Sequence, residues 1–258
     1  MTKELFNRFF PYVKNDHVLD FVCEYPDFGR MHSDDDEDPS YLFLSIGHYL
    51  FVSENIDEKI VKTAICKLFP LNVKSMLQTI LVFYPNKKIR DIFERLYDRQ
   101  ITFHKRKVFI FSSGMKLKTP VSGDSTKKIT PKLMVQDLTN VEMVRDEIVS
   151  TNSYFGMEDF YERGIGYMTI DSDAITGFCV SEYQSEHKLG VGIHVNERYR
   201  NQRLASMMTQ SFLTEANAKR MNVYWDCWSE NEPSVKTAQT NGFLLKGEYP
   251  VMVMRLLK

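Results

Sequence analysis

The chain has 258 residues, of which 43% are hydrophobic, 26% charged and 13% aromatic, which excludes wholesale disorder and the fibrous classes. Its 33 basic and 34 acidic side chains leave a formal net charge of −1, so no overall field draws it to nucleic acid or an anionic membrane. An anionic ligand must therefore be held locally. The length suits one large or two modest domains. Cys23, Cys66, Cys179 and Cys227 are scattered without the close pairs of a zinc or redox motif, and read as small hydrophobes of a reducing compartment. The first residues carry charges every few positions, unlike a signal peptide, and no run of about 18 apolar residues occurs. The expectation is a soluble, cytoplasmic protein without a metal.

In chain order, the acid run at 34–38 reads as a solvated loop, because five consecutive acids give no converging cation geometry. Strands are predicted at 41–45 and 49–53 around a turn at Gly47. A helix with Asn55 as N-cap and Glu58 as its capping-box acid follows, with Ile60, Val61, Ala64, Ile65 and Leu68 on one face. A strand at 79–84 stops at Pro85. Ile89, Ile92, Phe93 and Leu96 mark a second amphipathic helix, and 107–111 another strand. Lys105, Arg106 and Lys107 read as its solvated entry. Residues 112–131 shift to Ser, Gly, Thr, Lys and Pro, as a linker does. The expected organisation is an α/β domain at 1–111, a linker at 112–131 and a second domain at 132–258.

The second half is predicted to open with a strand at 133–135, a helix at 141–149 and a short helix at 157–162. Strands at 167–170 and 175–181 flank the turn Asp-Ser-Asp-Ala, and a third at 189–195 is interrupted by Gly190 and Gly192. A long helix carries Leu204, Met207, Met208, Ser211, Phe212 and Glu215 on one face. A strand at 223–228 leads to a helix with Pro233 in its first turn and Gly242 at C′, and a final run of strands begins at Phe243.

The informative segment is 190–243. The strand ending at Val195 runs through 196–199 into Arg200-Asn201-Gln202-Arg203-Leu204-Ala205 and straight into a helix. Unpaired N–H groups at such a helix start converge on one point, the dipole adds partial positive charge, and Arg200 and Arg203 add two full charges. A pyrophosphate suits that turn. Further on, Asn231, Ser234, Ala238, Gly242 and Phe243 follow the strand Val-Tyr-Trp-Asp-Cys-Trp, with Ser234 and Ala238 one helical turn apart.

Together these motifs resemble the GNAT superfamily of N-acetyltransferases. Val195, Tyr199, Arg200, Leu204 and Ala205 match its strand–turn–helix motif, and Asn231, Ser234, Gly242 and Phe243 match its later helix. The resemblance covers roughly 130–258. With the preceding half-domain, it is similar to two-domain members of the zwittermicin-resistance type. It implies an α/β (α+β) fold: a C-terminal GNAT domain with a mixed, centrally splayed sheet, preceded by a smaller, incomplete copy. Two positions depart from the family pattern. The family glycine is Arg203, for which a helical φ/ψ is expected, and its frequent general-acid tyrosine falls at Ala238.

The resemblance implies transfer of an acetyl group from acetyl-CoA to a primary amine of a small molecule by direct attack. It also implies that Ile193 and Val195 meet pantetheine through their backbones. Asn201, Gln202, Arg203, Leu204 and Ala205 would cradle the pyrophosphate beside Arg200, with Asn231 and Ser234 on the far wall. A base must take the amine proton, and His194 titrates in the useful range, with Glu182 and Glu186 as rivals. Tyr249 or Ser234 would donate to the leaving thiolate. Cys227 has no paired His or Asp in sequence to make it a nucleophile. The expected partners are a small amine acceptor, no nucleic acid and no membrane, in a monomer or homodimer. The other implied reading is a catalytically inactive acyl-CoA-binding sensor or interaction module of the same fold.

Overall fold

A computed structural model describes residues 2–117, 126–150 and 153–256, and divides into two units, Met1–Arg106 with Glu248–Lys258, and Lys107–Gly247. In the first unit, Thr2 caps α1 (Lys3–Phe9) by accepting the Leu5 N–H at 3.3 Å. Helix α2 (Asp16–Glu24) buries Val18, Phe21 and Val22. Strands β1 (Gly29–Ser33), β2 (Leu42–Ile46) and β3 (Tyr49–Val52) pair antiparallel, and Gly47 takes φ 51° at the β2–β3 turn. Helices α3 (Glu58–Leu68) and α4 (Leu71–Met76) carry the chain to β4 (Thr79–Phe83), which lies parallel to β3. Asn86 caps α5 (Lys87–Tyr97), whose Ile89, Ile92 and Phe93 are buried. The core of this unit joins Phe43, Leu50, Val52 and Val82 to Val61, Ile65, Ile89 and Phe93. Strand β5 (Ile101–Phe111) then leaves it, starting six residues before the predicted strand.

The predicted N-cap Asn55 is displaced by Asp57, whose extended backbone lets its carboxylate accept the Ile60 N–H at 2.8 Å. Helices α1, α2 and α4 and strand β1 fall in stretches for which no element was predicted. The acid run forms a loop whose Asp34 and Asp35 accept hydrogen bonds from Ser40, Glu37 and Asp38.

The second unit begins with Phe109 and Phe111 of β5 in its core. Strand β6 (Thr126–Lys128) pairs antiparallel to residues 167–169. Helix α6 (Pro131–Met134) stands where a strand at 133–135 was predicted, because Thr130 accepts the Leu133 N–H and Pro131 pre-sets the first helical φ. Helices α7 (Val141–Ser150) and α8 (Met157–Arg163) precede the antiparallel strands β7 (Gly166–Asp171), β8 (Ala174–Glu182) and β9 (Lys188–Val195). Helix α9 (Leu204–Ala218) crosses to β10 (Asn222–Trp228), parallel to β9, and α10 (Glu232–Thr240) leads into β11 (Leu244–Arg255). Strand β9 is continuous through Gly190 and Gly192.

Alternation along β8 and β9 divides the second unit into two cores. Cys179, Leu189, Val191, Ile193 and Val195 meet Met208, Phe212 and Ala216 of α9. Phe178 and Val180 meet Val144, Ile148 and Phe160 of α7 and α8. The units do not follow the limits expected from composition. Residues 126–131 of the expected linker join the second unit through β6 and the start of α6, and 118–125 lie outside the described residues. The chain end belongs to the first unit, because Met252, Met254 and Leu256 are buried in its core and Met252–Arg255 pair with β4.

Candidate active site

Strands β9 and β10 run together at Lys188–Asn222, Leu189–Val223 and Gly190–Tyr224, and their parallel pairing ends there. Beyond it, β9 continues to Val195 along β8 alone. The backbone phase on this stretch follows from one bond, the Asn196 N–H donating to Thr176 O at 2.9 Å. Even-numbered residues of β9 therefore turn their peptide groups to β8, and Val191, Ile193 and Val195 turn theirs to the β10 side. The parting leaves those groups facing a gap between two parallel strands.

The gap ends at a turn of unusual backbone. Asn201 has φ 65° and Arg203 φ 63°, ψ 9°, so Arg203 is left-handed at the N-cap of α9, where a helical φ/ψ was expected. This corrects the reading of the family-glycine position: the turn demands a conformation that glycine adopts freely and arginine at a cost of about 1–2 kcal/mol. No side chain caps α9 and no acid lies in its first turn, so its leading N–H groups keep their positive partial charge. Arg200, Asn201, Gln202 and Arg203 are exposed, and Leu204 and Ala205 are half-buried. Arg200 reaches Glu197 at 3.3 Å, and Tyr199 donates to Asp171 at 3.3 Å.

On the next helix, Asn231 Oδ1 accepts the Ser234 N–H at 3.2 Å and so caps α10. Ser234 Oγ accepts the indole N–H of Trp225 at 3.0 Å, tying α10 to β10. Ala238 is fully buried, and Phe243 lies 5.5 Å from the Trp225 ring centre. Both Asn231 and Ser234 thus have structural bonds that the motif spacing did not disclose.

His194 shares a face of β9 with Gly190 and Gly192, towards α7. Its ring stacks on Phe178 at 5.6 Å, and Nε2 lies 3.1 Å from Asn196 Oδ1. Asn196 Nδ2 donates to Ile175 O at 3.0 Å, which orients the amide so that Oδ1 accepts from the imidazole. The basic lone pair of neutral His194 is then on Nδ1. Glu147 of α7 joins this group: burial pushes its carboxyl up and the nearby His194 charge draws it back. Sequence reasoning missed Glu147, since it stands in no motif and only the packing of α7 on β8 brings it to His194.

Glu182 lies half-buried on the same face. A β-carbon built on Gly192 would stand 2.1 Å from its carboxylate oxygen. Glu186 is exposed beside His187, at 3.7 Å. Cys227 and Cys179 are buried, and burial pushes the Cys179 thiol up, away from thiolate chemistry. Tyr249 belongs to the first unit, not to the second as expected. It packs on Phe83 at 5.5 Å and, with Tyr12, Tyr84 and Arg90, lines a cavity of about 370 Å³. Among the described residues, no group of acids, histidines and cysteines gathers in metal-binding geometry, and no helix is long and apolar enough to cross a membrane.

The fold that carries this parted parallel strand pair and its basic, glycine-like turn is that of an acyltransferase. A family model of GNAT acetyltransferases matches residues 3–252, and the chain belongs to that family. Similar solved structures agree on the fold. A GCN5-related N-acetyltransferase-like protein from Streptococcus suis is 17% identical, with a TM-score of 0.69 over 92% of this chain and 93% of that one. A GCN5-related N-acetyltransferase from Kribbella flavida is 11% identical, with a TM-score of 0.57 over 93% and 95%. A tandem GNAT protein from the clavulanic acid biosynthesis pathway is 8% identical, with a TM-score of 0.53 over 93% and 87%. No curated protein matches the sequence.

Proposed function

We propose that this protein is an N-acetyltransferase that moves an acetyl group from acetyl-CoA to a primary amine of a small molecule by direct attack. The observation that carries this reading is the parting of β9 from β10 beyond Gly190 and Tyr224, with the peptide groups of Ile193 and Val195 turned to the gap. An amide-bearing pantetheine arm fits such a gap as a short extra strand. The acyl donor supplies an activated thioester. Amides of Asn201, Gln202, Arg203, Leu204 and Ala205 hold its pyrophosphate, with Arg200 and Arg203 as counter-charges and Asn231 and Ser234 on the far wall. His194 Nδ1 takes the amine proton, directly or through water, and Glu182 is the alternative base on the same face. Ser234, which has one hydroxyl proton to give, is the donor to the leaving thiolate that lies in this unit. The protein works in the cytoplasm as a monomer or homodimer, without a metal.

A second reading, an acyl-CoA-binding module without turnover, is favoured by one observation: Ala238, at the family tyrosine, is sealed in the core and offers no acid. Two measurements separate the readings. Acetyl-CoA at 100 times its Kd is expected to stabilise the fold by about 2.7 kcal/mol, a shift that Ala205→Glu abolishes and Arg200→Ala weakens. Free-thiol release with a panel of aminoglycosides, polyamines and amino acids is expected for the enzyme and absent for the module. No thermal shift with millimolar acetyl-CoA overturns both.

A further inference from the structure

The first unit repeats the order of elements that makes the gap in the second. Strands β1, β2 and β3 are antiparallel, α3 crosses to the parallel β4, and α5 follows; β7, β8, β9, α9, β10 and α10 do the same. In both units the parallel register lasts three pairs, ending at Phe51–Phe83 in the first. Val52 of the first unit therefore corresponds to the position at which the gap of the second unit opens.

There the space is already filled. The phenol oxygen of Tyr12 lies 2.7 Å from Val52 O, 2.8 Å from Phe83 O and 3.2 Å from Val52 N. It accepts the Val52 N–H and shares its one proton between the two carbonyls, so a single group bonds the ends of both strands. That is the bonding an inserted amide would make. Phe10 holds it in place, 6.4 Å from the Tyr12 ring and 6.0 Å from Phe51. The helix start that follows differs as well. Where α9 opens beside Arg200 and Arg203 with no acid in its first turn, α3 is capped by the Asp57 carboxylate and has Glu58 in its first turn. A phosphate there meets negative charge on N–H groups already bonded.

We propose that Tyr12 is a built-in occupant of the first unit's strand gap, closing it to acyl-CoA and leaving one donor site per chain. The inference rests on the acyl-CoA reading of the second unit for its meaning, and on the Tyr12 bonds for its geometry. Calorimetry with CoA is expected to give one molecule per chain for the wild type and none for Ala205→Glu. Hydrogen exchange tests the plug separately. Tyr12→Phe is expected to speed exchange of the Val52 amide about tenfold and leave Leu50 unchanged, as loss of one hydrogen bond would. CoA retained by Ala205→Glu, slower Val52 exchange on adding CoA to the wild type, or an unaltered Val52 rate in Tyr12→Phe each overturns the proposal. If the wild type binds no CoA, the acyl-CoA reading falls, and the exchange rate of Val52 in Tyr12→Phe alone decides whether Tyr12 fills the gap.

Discussion

The Glu182 carboxylate occupies the place a side chain on Gly192 would need: an ideal β-carbon there lies 2.1 Å from Oε1 and 3.0 Å from Cδ. Glycine at 192 is thus what lets an acid lie across β9 two residues from His194. Gly192→Ala is expected to displace that carboxylate and cost about 1 kcal/mol of stability. The cost should shrink in a Glu182→Ala background, where only the Val180 methyl at 3.3 Å still crowds the new carbon, as urea titration of the double-mutant cycle would read. An activity loss in Glu182→Gln with unchanged acetyl-CoA affinity would mark Glu182 as the base.

Arg203 sits at φ 63° with an exposed side chain. Arg203→Gly is therefore expected to stabilise the protein by about 1 kcal/mol, since the strain relieved exceeds the entropy glycine adds to the unfolded chain. Arg203→Val should destabilise by a similar amount, because a β-branched residue tolerates this backbone least. Thermal midpoints of the three proteins test the order. A guanidinium that grips phosphate would show as weaker CoA binding in the glycine variant despite its higher midpoint.

His194→Gln is expected to lower kcat by roughly 10²–10⁴-fold with little change in acetyl-CoA affinity. The measurement is kcat against pH with a saturating amine. An unchanged kcat would transfer the role to Glu182. Glu147→Gln reports on the neighbour: its carboxyl is held high by burial and drawn down by His194, and a kcat equal to the wild type's would exclude that carboxyl from the proton transfer.

Burial, with the Arg106 charge beside it, lowers His48 from its ordinary value to about 4, while its ring packs 4.3 Å from Tyr49. The unfolded histidine binds a proton below about 6.5 and the folded one only below about 4, so stability is lost as pH falls through that window and is flat beneath it. The ring is half-buried, so the loss is about 2 kcal/mol. Urea midpoints between pH 7 and 4 should fall less steeply in His48→Gln, and equal slopes would remove His48 as the cause.

Much of the second unit was legible because its signals are local. The 3.6 spacing of Met208 and Phe212, Pro233 in a first turn and Gly242 past a helix end each act within a few residues. The run from Arg200 to Ala205 was legible as a helix start for the same reason. The misses follow local competition or long-range pairing. Thr130 and Pro131 made a helix of an apolar stretch that reads as a strand, and Asp57 outcompeted Asn55 because its extended backbone aims the carboxylate at Ile60.

Sequence by itself determined the family, the fold class and the chemical character of the turn at 200–205, since motif spacing and charge are properties of the chain alone. Only the tertiary structure decided the rest. Whether Arg203 is helical depends on how β9 is carried into α9. Whether Glu182 meets Gly192, or Glu147 meets His194, depends on strand register and on the helix above it. Tyr12 reaches Val52 and Phe83 across forty and seventy-one residues, a distance that no local pattern spans. Tyr249 went with the first unit because the last strand found its partner in β4, and pairing of that kind is settled by the burial of Met252 and Met254, not by the residues nearest in sequence.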